Sequence, residues 1–247
     1  MLRDKLEKIV KILTSYQALK AIVSWPHFSI SSFEMLSSLS KQGLNPNTII
    51  DVGANVGQFA VASAKLFPSA SVYSFEPLPD CYERLSKNVA SLNNVKLNFT
   101  ALGEEIGEVQ FNVNEHAHSS SILSLSDSHL KAFPHARHVE KLMVPVSTLD
   151  TVFGDIKFNA PSLLKLDVQG YESQVLCGGR ETLKRIDYVI LESSFKPMYE
   201  GEKVFLSILD LMKSFDFEFV RPVGWLSNPE TGEILQMDAL FSRNKNN

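Results

Sequence analysis

Short apolar segments alternate with amphipathic segments along most of the chain. Five apolar segments rich in β-branched residues predict buried strands, at 48–52, 71–77, 95–102, 162–168 and 188–194. Helical spacing follows three of them and predicts helices over 57–67, 79–91 and 202–214. Two further strands are predicted near 217–221 and 235–242, with no long helix between them. The pattern predicts an α/β fold: a mostly parallel sheet with an antiparallel edge strand and helices on both faces.

The first 45 residues precede this alternation. An amphipathic helix is predicted over residues 1–23, with its apolar stripe formed by Leu2, Leu6, Ile9, Leu13 and Tyr16. A second helix is predicted over 31–42, ended by Gly43 and an Asn-Pro turn. We interpret residues 1–45 as a helical extension or cap of the domain formed by 46–247. Lysines outside the apolar stripe could contact an anionic membrane surface, which is a disfavoured alternative. A homodimer interface formed by these helices is a further alternative.

Residues 103–160 interrupt the strand–helix rhythm. The pattern there predicts a strand, a polar loop with a serine run, a short strand and a helix that begins near Thr148. Five of the six histidines of the chain lie in this segment. Irregular segments inserted in an α/β domain commonly carry function, so we expect 103–160 to contain an insert that faces the substrate.

Composition and charge exclude several classes of protein. The formal net charge of −4 argues against a nucleic-acid binder, because no basic excess is available to neutralise phosphates. Two cysteines, Cys81 and Cys177, do not make a disulfide framework and suit a reducing compartment. No apolar run is long enough to span a bilayer, and the first residues lack a secretory signal pattern. We therefore expect a cytoplasmic protein.

A turn with two glycines follows the first predicted strand. Asp51, Gly53, Asn55 and Gly57 form the pattern D-x-G-x-x-x-G, which differs from the dinucleotide fingerprint G-x-G-x-x-G. Asp51 suits a cofactor that carries a positive amine. Glu76 ends the second strand 25 residues after Asp51, where a carboxylate can accept hydrogen bonds from a ribose diol. The pattern favours a cofactor site, with a nicotinamide cofactor as the weaker alternative.

Seven separated motifs carry a resemblance to a known family. They are "IIDVGANVGQFA", "VYSFEPLPDCYERLSKNV", "SSSIL", "VPVSTLDTV", "LLKLDVQGYESQVLCGG", "VILESSFKPMYEG" and "QMDALF". From Thr48 to Phe241 the chain resembles the S-adenosylmethionine-dependent methyltransferases of the Rossmann-like class, and within them the FkbM family. The resemblance implies a seven-stranded sheet, S-adenosylmethionine as cofactor, and methyl transfer, commonly to sugar or polyketide hydroxyls. We expect O-methylation of a carbohydrate hydroxyl.

Four acidic residues mark the ends of four predicted parallel strands: Asp51, Glu76, Asp167 and Glu192. Methyl transfer to oxygen requires an aligned acceptor and a group that takes its proton. The predicted catalytic residues are Asp167, Glu192, His118, His116 and Lys165. Lys165 shares a strand face with Asp167 and could pair with it or with Glu192. Asp167 and Glu192 could instead hold Mg²⁺, an alternative disfavoured because no tight acidic pair is present.

Further residues are assigned to binding. The predicted cofactor-binding residues are Asp51, Gly53, Asn55, Gly57, Phe59, Glu76, Pro77, Ala101, Leu102, Ser120 and Asp167. The predicted substrate-binding residues are Glu172, Tyr199, Ser121 and Trp225. Core packing stays an equal alternative for the aromatic residues and for Ala101 and Leu102. For the whole chain, two other functions stay open: a cofactor-binding but inactive partner of a glycan-assembly enzyme, and a nicotinamide-dependent oxidoreductase.

Overall fold

Strands and helices alternate along most of the described chain. The computed structural model describes residues 16–114, 121–123, 138–228 and 231–244. The strands are β1 (Thr48–Val52), β2 (Ser71–Phe75), β3 (Val95–Asn98), β4 (Ala101–Leu102), β5 (Gly107–Asn114), β6 (His138–Ser147), β7 (Ser162–Leu166), β8 (Tyr188–Ser194), β9 (Phe217–Ser227) and β10 (Ile234–Arg243). The helices are α1 (Tyr16–Ser24), α2 (Ile30–Lys41), α3 (Gln58–Leu66), α4 (Pro79–Val89), α5 (Leu149–Phe153), α6 (Glu172–Cys177), α7 (Arg180–Leu183) and α8 (Phe205–Ser214).

The main sheet has seven strands in the order β3-β2-β1-β7-β8-β10-β9. Its first five strands are parallel, while β10 runs antiparallel to both β8 and β9. The predicted α/β class with a mostly parallel seven-stranded sheet is therefore confirmed. The antiparallel strand lies one place inside the edge, and its hairpin partner β9 forms the edge itself.

Both faces of the central strands are covered. Ile49 packs with residues of α2 and α3, whereas Ile50 and Val52 belong to a separate core cluster that contains Leu149 and Phe153 of α5. Adjacent residues of β1 therefore point into opposite layers, as the alternation of side chains along a strand requires. This two-sided burial is the reason that the strand sequence is apolar at nearly every position.

The strand predicted over 95–102 is confirmed for Val95–Asn98, but its continuation to residue 102 in the same sheet is wrong. The chain leaves the main sheet after Asn98, and Ala101–Leu102 joins a second sheet of three strands in the order β4-β6-β5. The Thr100 hydroxyl donates to the Pro145 carbonyl oxygen at 3.0 Å, which attaches the chain to β6 at the break. The strand predicted as short within 103–160 is the ten-residue β6, which pairs with β5 along its length.

The second predicted helix of the extension is confirmed as α2. The Ser29 hydroxyl accepts from the Ser32 amide at its start, and Gly43 follows its end with φ +81°. Met35, Leu36 and Leu39 of α2 pack in one core cluster with residues of α3. Residues 1–15 of the predicted first helix lie outside the described residues. Across the described part of the chain, no helix has the length and apolar character to cross a membrane.

Candidate functional site

The turn after β1 lies directly against the segment after β7. The amides of Gly53 and Ala54 donate to the Phe75 carbonyl oxygen at 3.1 and 2.9 Å, which fixes the turn on β2. Gly53 has φ +80°, and a Cβ at this position would overlap the carbonyl oxygen of Asp167. A glycine is therefore required here for conformation and for space. This contact joins the predicted cofactor turn to the predicted catalytic segment in one site.

Glu76 lies beside this turn, one residue after β2. Its Oε2 accepts from the Asn55 amide at 2.8 Å and its Oε1 accepts from the Leu78 amide at 2.9 Å. Each carboxylate oxygen has two acceptor positions, and the amides of the described residues use one position on each oxygen. Burial raises the pKa of Glu76 to about 7, although the two amides favour the charged form. The assignment to ribose hydroxyls stays a prediction that this geometry permits.

Lys165 forms a buried ionic cluster with two of the predicted acids. Its Nζ lies 3.2 Å from Asp167 Oδ2 and 3.5 Å from Asp51 Oδ1. The sequence predicts that Lys165 pairs with Asp167 or with Glu192, and the structure shows the pair with Asp167. The pair with Asp51 forms because Asp51 and Lys165 are register partners on adjacent strands. The ammonium also lies 5.2 Å from the centroid of the Phe59 ring. Asp51 is fully buried, and its predicted contact with a cofactor amine stays a prediction.

Gln169 links Asp167 to Glu192. Its Nε2 donates to Asp167 Oδ1 at 2.8 Å and to Glu192 Oε2 at 2.9 Å. Sequence reasoning missed this residue, because a glutamine in the turn after a strand gives no signal of its own. The only available clue is its place between Asp167 and Glu172 in "DVQGYE".

Asp238 is a second residue that sequence reasoning missed. It is the register partner of Glu192 on β10, so its carboxylate adds to the same group of acids. Gly224 faces it on β9, where a Cβ would overlap the Asp238 carboxylate. Burial raises the pKa of Asp238 to about 6, and burial followed by the charge of Asp167 raises the pKa of Glu192 well above its ordinary value. Only the pairing of β10 with β8 reveals this neighbour.

Glu192 does not end its strand, contrary to the prediction. β8 continues through Ser193 and Ser194, because both residues pair with β10. Glu192 nevertheless lies level with the Asp167 segment, since Leu166 of β7 pairs with Leu191. Asp51 is likewise followed by one more strand residue, Val52. The predicted acids therefore lie at the carboxyl edge of the sheet or within two residues of it.

Glu172 holds the segment between β7 and α6. Its Oε1 accepts from the amides of Val168 and Gly170 at 3.0 and 3.4 Å. Burial raises the pKa of this carboxyl to about 8. The side chain therefore shapes the turn that carries Asp167, and its predicted contact with substrate stays a prediction.

Three further predicted substrate residues differ in exposure. The Tyr199 ring is fully buried and packs against Gly170, while its hydroxyl donates to Gln169 Oε1, so the structure favours the packing alternative over stacking on a sugar. The buried Ser121 hydroxyl donates to the Gln169 carbonyl oxygen at 2.6 Å. Trp225, on the edge strand β9, is 66% exposed and could contact a ligand.

The other predicted site residues either pack in the core or lie beyond the described ranges. Ala101 and Leu102 are buried in two different apolar clusters. Pro77 is buried beside Glu76. His116, His118 and Ser120 lie outside the described residues, so their predicted roles stay predictions. Within the described ranges, no group of three or more His, Cys, Asp or Glu side chains could hold a metal ion.

Comparisons with known proteins agree with the motifs. The family model described as the methyltransferase FkbM domain matches residues 51–219. The 2-O-methyltransferase NoeI of Sinorhizobium fredii is 30% identical over 182 residues, which cover 71% of this chain and 75% of that protein. The hexuronic acid methyltransferase AglP of Haloferax volcanii is 27% identical over 167 residues, covering 64% of this chain and 61% of that protein. The chain thus spans less than two thirds of the haloarchaeal relative.

Among solved structures, similarity extends to the fold alone. The fibrillarin/Nop5p complex contains a chain with a TM-score of 0.50 and 15% identity to this protein. The match covers 87% of this chain and 83% of the other. At this identity the likeness supports the Rossmann-like architecture and gives no information about the acceptor.

Proposed function

The chain belongs to the FkbM family of methyltransferases, and we propose that it moves a methyl group from S-adenosylmethionine to a hydroxyl of a sugar or glycan. The observation that carries the proposal is the contact between Gly53 and the Asp167 carbonyl. It brings the predicted cofactor turn against the segment that carries the predicted proton acceptor. Donor and acceptor would therefore meet at one edge of the sheet, outside the carboxyl ends of parallel strands.

The residues of the turn suit S-adenosylmethionine. The Glu76 carboxylate is fixed by two backbone amides and can still accept from the two ribose hydroxyls. Asp51 and Asp167 place negative charge near the turn, which suits the positively charged sulfonium and amine of this cofactor. The D-x-G-x-x-x-G spacing disfavours a nicotinamide cofactor.

Asp167 is the best placed proton acceptor. Its side chain is 37% exposed, so a hydroxyl can reach it, whereas Asp51 is fully buried. In the reaction the acceptor oxygen forms a bond to the methyl carbon, the carbon–sulfur electron pair returns to sulfur, and the hydroxyl proton passes to the carboxylate. Lys165, 3.2 Å from Asp167, favours its charged form. Alignment of the two substrates supplies the larger share of the rate, and the base contributes about 10²–10⁴-fold.

A sugar hydroxyl is the proposed acceptor because of two relatives. One carries the name 2-O-methyltransferase and the other the name hexuronic acid methyltransferase. Carbohydrates carry uncharged hydroxyls, whose proton a carboxylate can accept during methyl transfer. The group formed by Asp167, Glu192 and Asp238 could accept several hydrogen bonds from a polyol.

Calorimetry and a transfer assay test the proposal together. We expect the purified protein to bind S-adenosylmethionine and S-adenosylhomocysteine, and not NAD, and to transfer labelled methyl to members of a sugar and glycan panel. Asp167→Asn should retain cofactor binding and lose at least about 10²-fold in kcat. Asp210→Asn, an exposed change on α8, is the matched control. Binding of NAD alone would contradict the proposal, and cofactor binding without transfer would support the inactive-partner alternative.

A further inference from the structure

Gln169 connects the two predicted catalytic carboxylates to the interior of the protein. Its amide nitrogen donates to Asp167 and Glu192, and its amide oxygen accepts from the Tyr199 hydroxyl. Its main-chain oxygen accepts from the buried Ser121 hydroxyl. The backbone at Gln169 has φ +56°, a conformation that side-chain-bearing residues rarely adopt. The surrounding contacts therefore hold this residue in place.

The direction of the amide matters. A glutamine amide has a donor end and an acceptor end, and both carboxylates require the donor end. The Tyr199 hydroxyl donates to the opposite end. The reversed amide would place its oxygen against the Asp167 carboxylate, which has no proton to donate. The fully buried Tyr199 ring packs on Gly170, the next residue in the chain. The carboxyl side of the site therefore selects the orientation of the amide, and the hydrogen bond from Tyr199 holds the amide in place.

We propose that Gln169 is a positioning residue that sets the relative placement of Asp167 and Glu192 for proton acceptance, with Tyr199 fixing its amide. The inference rests on the proposed function, because it assumes that these carboxylates face the acceptor. One amide nitrogen that donates to Asp167 and to Glu192 holds the two carboxyl groups in a defined relative geometry. The role differs from that of Glu76, which belongs to the cofactor side of the site.

Ser121 extends the same arrangement to the insert. Its backbone pairs with Asn112 of β5 in both directions, at 2.8 and 3.1 Å, while its hydroxyl contacts the Gln169 carbonyl oxygen. The Ser121 hydroxyl also accepts from the Leu123 amide at 3.0 Å. One short segment of the insert is therefore attached to the residue that holds the carboxylates.

The principal variant is Gln169→Glu, which keeps the shape of the side chain and an acceptor for Tyr199 but removes both donors. We expect kcat to fall about 10- to 100-fold, while the Kd for S-adenosylmethionine stays within about twofold, because both donors are lost and a third carboxyl group displaces the other two from their alignment. Gln174→Glu is the matched control, since Gln174 is the third residue of α6 and its amide oxygen accepts from the Ser173 hydroxyl. It should leave both quantities unchanged. Unchanged kcat in Gln169→Glu, or an equal loss in Gln174→Glu, would overturn the proposal.

Hydrogen exchange of the Gln169 side chain can be measured without any methyl transfer, so it tests this inference separately from the proposed function. The side-chain NH₂ resonances of Gln169, identified by their loss in Gln169→Glu, should exchange with solvent more slowly than those of exposed glutamines. Tyr199→Phe should accelerate that exchange while the protein stays folded. Fast exchange in the unmodified protein, or no change in Tyr199→Phe, would overturn the proposed placement. If no acceptor in the panel is methylated, the proposed function is contradicted. The rate of hydrogen exchange at the Gln169 amide then decides the proposal about Gln169 by itself.

Discussion

Lys165 Nζ lies 3.5 Å from Asp51 Oδ1 on the adjacent strand, in a place where the lysine side chain is 9% exposed and the aspartate is not exposed at all. The same ammonium reaches Asp167, which is partly exposed at the edge of the sheet. Among the described residues, Lys165 is the partner that Asp51 finds, through this ion pair, and neither carboxylate oxygen of Asp51 accepts a hydrogen bond there. One lysine therefore compensates a carboxylate in the core and supports another at the site.

Removal of that lysine should destabilise the protein strongly. Lys165→Met leaves Asp51 as an uncompensated buried charge, and we expect a loss of about 3–5 kcal/mol in the free energy of unfolding, measured by chemical denaturation. The double variant Asp51→Asn/Lys165→Met should recover most of it, because no buried charge is then left. Lys184→Met breaks the exposed pair with Glu181 and should change stability little. A similar small effect at Lys165 would show that Asp51 does not depend on it.

Substitution of Gly53 tests the contact between the turn after β1 and Asp167, and substitution of Gly43 is its control. Both have φ near +80°, but a Cβ at Gly53 would overlap the Asp167 carbonyl, whereas no atom of the described residues lies within 4 Å of a Cβ at Gly43. Gly43→Ala should cost about 1–2 kcal/mol from its backbone conformation alone. Gly53→Ala should cost more and abolish cofactor binding, measured by denaturation and calorimetry. Equal losses in the two variants would mean that the turns after β1 and β7 are not in contact.

Cofactor binding should depend on pH through Glu76. Its pKa of about 7 means that the carboxyl is largely protonated at pH 6 and largely charged at pH 8. The charged form accepts from both ribose hydroxyls, so affinity for S-adenosylmethionine should rise about tenfold across this interval, measured by calorimetry. Glu76→Gln should bind more weakly and without this slope. If the slope persists in Glu76→Gln, another group titrates.

Glu172 should make the stability of the protein depend on pH between about 4.5 and 8. Its folded-state pKa of about 8 lies above the unfolded value of 4.5, so its favourable contribution is complete below pH 4.5 and is lost as pH rises through 8. Glu172→Gln retains an acceptor for Val168 and Gly170 without a titrating group. The variant should gain stability over the unmodified protein between pH 6 and 9, by on the order of 3 kcal/mol. Glu181→Gln, an exposed change on α7, is the control; a constant difference across this range would contradict the assignment.

Metal removal tests the alternative role of Asp167 and Glu192. In the structure the Gln169 amide occupies the position between the two carboxylates that a cation would share. We expect the methyl-transfer rate to be the same before chelation, after chelation and after Mg²⁺ is restored. A rate lost with chelator and regained with Mg²⁺ would instead support the magnesium alternative.

The sequence by itself determined most helices and strands, and it placed the site at the carboxyl ends of the parallel strands. The strand β1 and the helix α2 follow from apolar runs and from glycine and proline signals, which act over a few neighbouring residues. The break after Asn98 escaped prediction because 95–102 is locally suited to one strand, while its end depends on the bond from Thr100 to distant Pro145.

Only the tertiary structure decided which side chains meet. Glu192 and Asp238 are neighbours because β10 pairs with β8 in one register, and Lys165 reaches Asp51 because β7 lies beside β1. Gln169 and Tyr199 are 30 residues apart and have no shared sequence signal. Hydrophobic periodicity is a local property that reports which face of an element is buried, whereas strand order and register arise from packing between distant segments. The sequence thus located the acidic residues at the edge of the sheet, whereas the packing of distant segments determined which side chains they contact.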